Sequence, residues 1–203
     1  MSSPKRHVHP LLVAFLLTPF LACSGEGEDD DVLTLPPPPT FGAQCADGVT
    51  VLPSGSVAMQ CASVSGNLIS VDLVITDTGS EQIVAAAFDL GFNPPVATLE
   101  SCTLRSALGS AAGFQCDLAN NNPSEILVSV SRQTQDPGVT ISGSQILATL
   151  NFRITGAGAS TLTFLGPNVA NGSALLRRDP LNATQTQIIP GILFPTGVTI
   201  ASS

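Results

Sequence analysis

From Leu68 onward, apolar side chains recur at every second position rather than every third or fourth. Successive side chains of a strand point to opposite faces, so this period marks half-buried β-structure. Ile69, Val71, Leu73 and Ile75 alternate with Ser70, Asp72, Val74 and Thr76, and Ala86, Phe88, Leu90 and Phe92 with Ala85, Ala87, Asp89 and Gly91. Ile126, Val128 and Val130 alternate with Leu127, Ser129 and Ser131, and Ile146, Ala148, Leu150, Phe152 and Ile154 with Leu147, Thr149, Asn151 and Arg153. Shorter candidates are 57–64, 114–118, 160–165, 174–177, 185–189 and 198–201. Turn signals separate them: Asp77-Thr78-Gly79-Ser80, Asn93-Pro94-Pro95, Asn120-Asn121-Asn122-Pro123, Asp136-Pro137-Gly138, Gly156-Ala157-Gly158 and Asn171-Gly172. Many short strands without βα alternation predict an all-β fold, an antiparallel two-sheet sandwich of jelly-roll type. One stretch breaks the period. Within 99–112, Leu104, Ala107, Leu108 and Ala111 keep helical spacing and predict a single helical turn on a loop.

The N-terminal segment follows a different pattern. Lys5 and Arg6 precede an apolar run of 12 residues, Leu11 to Ala22, interrupted by Pro19 and ending at Cys23. A bilayer-spanning helix needs about 20 apolar residues, so residues 1–22 read as a signal peptide. Phe20-Leu21-Ala22-Cys23 resembles the lipobox of bacterial lipoproteins, which implies acylation of Cys23. Residues 23–44 then form an acidic and proline-rich tether, with Glu26, Glu28 and Asp29 to Asp31 followed by four prolines from Pro36. Such a segment buries too little apolar surface to fold. The folded domain is expected over 45–203. The implied address is a membrane-anchored exported lipoprotein, at the outer membrane or cell surface.

Composition then narrows the chemistry. The only lysine, Lys5, and both histidines, His7 and His9, lie in the first ten residues. Beyond them, five arginines face 15 acids, and the chain has no Trp or Tyr. Nucleic-acid affinity rests mainly on neutralising phosphates with Lys and Arg, so nucleic acid is excluded as a partner. Without histidine or lysine there is no imidazole base, His metal ligand or Schiff base, which leaves an enzyme only carboxylate chemistry. No cofactor or metal is expected, and no D-x-[DN]-x-[DN]-G series exists for calcium. Asp77 and Glu81, at a tight turn, read as hairpin acids, and Asp72 and Asp89 as outward-facing strand acids. Asn171-Gly172-Ser173 and Asn182-Ala183-Thr184 match the glycosylation pattern but read as ordinary turns. Phe88, Phe92, Phe152 and Phe164 lie in phase with core residues, which leaves no aromatic platform for a crystalline polysaccharide.

Four cysteines remain after Cys23, an even number in an exported chain: Cys45, Cys61, Cys102 and Cys116. Pairing nearest neighbours, Cys45 with Cys61 and Cys102 with Cys116, is the simplest of three connectivities. Spacings of 16, 41 and 14 with no CxxC pair argue against a metal site.

Four stretches together resemble the ordered landmarks of cohesin domains: Ile69 to Gly79 (ISVDLVITDTG), Val84 to Leu99 (VAAAFDLGFNPPVATL), Gly143 to Phe164, and Gly197 to Ile200. The resemblance covers about residues 50 to 201. It implies a nine-stranded jelly-roll sandwich, related in fold to cellulose-binding modules, that attaches to a dockerin-like or other surface protein in extracellular polysaccharide-related systems. The chain departs from the family at Phe92-Asn93-Pro94, where Tyr-Asp-Pro is common, and in its paired cysteines. One sheet face of a cohesin receives the partner. Parity places Ala85, Ala87, Asp89, Leu127, Ser129 and Ser131 on an outward face that is small and apolar where acids were available, and this face is the expected binding surface. Its alternative is a face covered by the chain's own 99–112 segment. A carbohydrate-binding module working through loop Ser, Thr and Asn is the alternative function, and a carboxylate-based hydrolase the third.

Overall fold

The computed structural model describes residues 40–109, 113–133, 137–170 and 172–203, with nothing said of the side chain at 183. Cys23, the signal segment and most of the tether fall outside the described residues. No helix among those described is long and apolar enough to cross a membrane.

The described residues form thirteen strands: β1 (Ala43–Ala46), β2 (Val57–Ser65), β3 (Leu68–Thr76), β4 (Ala85–Gly91), β5 (Ala97–Leu104), β6 (Gly113–Ala119), β7 (Asn122–Ser131), β8 (Ser144–Ile154), β9 (Ala159–Thr161), β10 (Thr163–Leu165), β11 (Ala174–Asp179), β12 (Asn182–Ile188) and β13 (Thr199–Ser202). They form a four-stranded sheet, β2-β3-β8-β5, and a six-stranded sheet, β12-β11-β4-β7-β6 with β10 also on β4. A small third sheet, β1-β13-β9, contributes Val198 and Ile200, which flank or lie on β13, to the same core. The pairs between these strands are antiparallel.

The alternation carries the core. Ile69, Val71, Leu73 and Ile75 from one sheet meet Ala86, Phe88, Leu90, Ile126, Val128 and Val130 from the other, all essentially without exposure. At roughly 25 cal/mol per Å² of apolar area buried, such a layer is the main favourable term of the fold. Phe88 packs edge-on against Phe164 and Phe194, with centroids 5.8 and 6.5 Å away. The two-residue turn Gly66-Asn67 closes the β2–β3 hairpin, with Gly66 at φ 61°, a conformation glycine adopts without a Cβ penalty.

The excess over nine strands has local causes. The single strand expected over 160–165 divides at Leu162, whose amide donates to the Val198 carbonyl. Its first half pairs with β13 and its second with β4, so the chain changes sheet there. A Cβ on Gly197 would overlap the Leu162 carbonyl oxygen, so only glycine allows this approach. β1 begins at Ala43, two residues before the boundary expected at Cys45, and Phe41 packs against the core.

The helical turn expected within 99–112 is not what forms. Ala97–Leu104 is an edge strand paired with β8, and its register shifts between Leu99 and Ser101. The bulge takes Glu100 out of the alternation, and the helix-like spacing arises further on, where Leu104 ends the strand and Ala107 and Leu108 sit side by side in the turn after it. Ala107 and Leu108 follow in a turn and are buried, while 110–112 lie outside the described residues. A second bulge corrects the reading of β8. Leu73 pairs with Ala148 and Val74 with Ile146, so Leu147 is the extra residue. It is fully buried, whereas Ile146, expected inside, is 39% exposed.

Two bridges join Cys45 to Cys61 and Cys102 to Cys116, with Cα atoms 5.9 and 6.3 Å apart. The first ties β1 to β2. The second ties β5, an edge of the four-stranded sheet, to β6, an edge of the six-stranded sheet.

Candidate functional site

β4, β7 and β6 lie side by side, and their register builds the outer face of the six-stranded sheet. Ala87 pairs with Ser129, and Ser129 with Gln115; Asp89 pairs with Leu127, and Leu127 with Asp117; Ala85 pairs with Ser131. The structure therefore brings the six expected residues together on one face. Leu127 is 41% exposed, Ser129 and Ser131 are exposed, and Ala85, Ala87 and Asp89 are half-buried. Of the 99–112 segment expected as the alternative cover, 99–104 lies in the other sheet as β5, and 110–112 fall outside the described residues. A shallow depression of about 440 Å³ sits beside Leu127, lined by Gln115, Asp117, Leu118, Asn120, Leu127 and Ser129. Gln115 and Asp117 were not singled out from the sequence, although the parity of Phe114, Cys116 and Leu118 places them outward.

One end of the face is acidic. Asp89, Asp117 and Glu125 share it, Glu125 standing opposite Gly91. Partial burial, and then the Glu125 charge, push the Asp89 carboxyl above the ordinary carboxylate range. The buried Ser173 hydroxyl holds the Asp89 backbone, accepting from its N–H at 3.2 Å and donating to its carbonyl at 3.1 Å. This fixes β4 where β10 ends and β11 begins.

The other candidate acids have structural partners. Arg177 Nη1 donates to both Glu81 carboxylate oxygens at 2.7 Å, and Asp77 Oδ1 accepts from the Gly79 N–H at 3.3 Å. Asp72 Oδ1 accepts from the Thr149 hydroxyl at 2.6 Å. Among the described residues no three His, Cys, Asp or Glu side chains converge on one point. Asp89 and Glu125 sit on an open sheet face rather than across a cleft, which is not the arrangement a pair of glycosidase carboxylates requires.

No protein-family model matches the chain, and no curated protein matches it. Solved structures do. The seventh type I cohesin of ScaB from Pseudobacteroides cellulosolvens has a TM-score of 0.51 at 16% identity, over 70% of this chain and 88% of that one. The sixth cohesin of scaffoldin B from Acetivibrio cellulolyticus, solved in complex with a mutant Cel5 dockerin, has a TM-score of 0.52 at 12% identity, over 72% and 97%. The second type II cohesin module of the adaptor scaffoldin ScaA from Acetivibrio cellulolyticus has a TM-score of 0.51 at 14% identity, over 75% and 99%. Identities this low establish a shared fold.

Proposed function

From its cohesin fold, we propose that this chain is a non-catalytic protein-binding module that docks a dockerin-like protein on the outer face of its six-stranded sheet. The observation that carries the reading is the uncovered row Asp89–Leu127–Asp117 beside the small residues Ala85, Ala87 and Ser129. An exposed leucine among small neighbours gives a partner an apolar contact that loses water on binding, and the flanking acids supply register and steering. The similar Acetivibrio module solved with a Cel5 dockerin supports this class of partner. Lipidation at Cys23, followed by the 23–44 tether, would hold the module at the outer membrane or cell surface, within a polysaccharide-related extracellular system.

Surface plasmon resonance over a panel of calcium-loaded dockerins, the Cel5 dockerin included, tests the partner class. Saturable binding that is lost when calcium is chelated is the expected result. A natively folded module that binds none of the panel removes dockerins as its partners.

A further inference from the structure

The outer face of the four-stranded sheet carries a second pattern, on the opposite side of the sandwich from the proposed partner face. Register places Ser63, Ser70, Asn151 and Ser101 in one row across β2, β3, β8 and β5. Adjacent strands lie about 4.8 Å apart, so the row presents a polar group at each such step. The groups are already ordered. The Ser70 hydroxyl donates to Asn151 Oδ1 at 2.7 Å, and Asn151 Nδ2 donates to the Ser101 hydroxyl at 3.0 Å. Ser63 and Ser101 are exposed at the two ends of the row. Beside it, Arg153 Nε and Nη2 donate to the two Glu100 oxygens at 2.8 and 3.3 Å, and Arg153 Nη1 donates to Asn67 at 3.3 Å. A groove of about 370 Å³ runs along these residues, with Leu68 as its apolar wall.

We propose that this groove binds a neutral, extended oligosaccharide. Hydroxyls and a primary amide both donate and accept, which matches a ligand made of hydroxyl groups. The face is charge-balanced, Arg153 against Glu100 and Arg105 near Asp72 through Thr149, in a chain of formal charge −8. That balance favours neither an anion nor a cation. Leu68, 39% exposed, is the one large apolar side chain lining the groove. The C–H face of a sugar ring needs no more than that. A row that crosses four strands suits an extended chain better than a compact one. With no aromatic ring to stack on, affinity is weak, with Kd roughly 0.1 to 1 mM. The proposal stands independently of the partner face.

Amide NMR of the full chain, titrated separately with cellohexaose, xylohexaose and mannohexaose, tests it. At least one should shift Ser70, Ser101 and Asn151 saturably. Asn151→Leu should weaken that binding tenfold or more and Ser101→Ala about threefold, while Leu127→Asp on the opposite face should leave it unchanged. If the Asn151 variant loses its native spectrum, Ser101→Ala and Arg153→Gln carry the test. Shifts with none of the three sugars, shifts confined to the 120–123 turn, or stronger binding of hexagalacturonate than of any neutral chain would overturn the proposal.

Discussion

Leu127 on β7 stands directly opposite Asp89 on β4, an exposed apolar side chain beside a carboxyl whose ionisation is disfavoured. The pair joins the two properties of the proposed docking face, apolar area to bury and charge to position the partner.

The Asp89 carboxyl titrates above its unfolded range, so the folded state takes up this proton before the unfolded chain does. This group therefore favours folding as pH falls through its raised value, and that contribution is lost as pH rises again. Asp89→Asn should raise the melting temperature slightly near pH 7, and the difference from the parent should shrink toward pH 4. Paired thermal melts across that range check it. An equal difference at every pH would contradict the assigned cause.

The β8 bulge makes two neighbouring residues respond in opposite ways. Leu147→Ala empties a filled core site and should cost about 2–5 kcal/mol, whereas Ile146→Ser, on the exposed side, should cost less than about 0.5 kcal/mol. Urea unfolding of the two variants measures both. The reverse order would restore the unbulged alternation.

Removing the Cys102–Cys116 bridge with paired serines should cost about 2–5 kcal/mol, because the bond ties the free edges of two different sheets. Removing Cys45–Cys61 should act more locally. Hydrogen exchange should quicken in β1 and β13 while β3 and β8 stay protected.

The sandwich was legible because strands buried on one face keep a two-residue period, as in β4 and β7, whereas at the end of β3 Val74 and Thr76, expected outward, are buried as well. The expectation failed where that period slips. The bulges at Glu100 and Leu147 each insert one residue and invert parity on one side, and a single sequence carries no mark of where this happens. β1 was missed because four residues, Ala43 to Ala46, hold too few apolar positions to show a period. That Ala85, Ala87, Asp89, Leu127, Ser129 and Ser131 share one outward face was legible through parity alone. Gln115 and Asp117 complete its rows only once strand register is known.

Cys23→Ser should release the protein from membranes as soluble or unprocessed chain. Mass spectrometry of native protein should find an acylated N-terminal Cys23. An unmodified cysteine there would remove the anchor from the account.

The double variant Ala87→Arg, Leu127→Asp places two charges in the middle of the proposed docking face. Leu127 is exposed and Ala87, half-buried, faces the same side, where a long arginine stem can reach solvent, so the fold should be kept and stability should change little. Binding to a dockerin that the parent captures should fall below detection by surface plasmon resonance, with circular dichroism and the melting temperature unchanged. A folded double variant that binds that dockerin as tightly as the parent would place the site elsewhere, and a variant that unfolds would show the face to be buried.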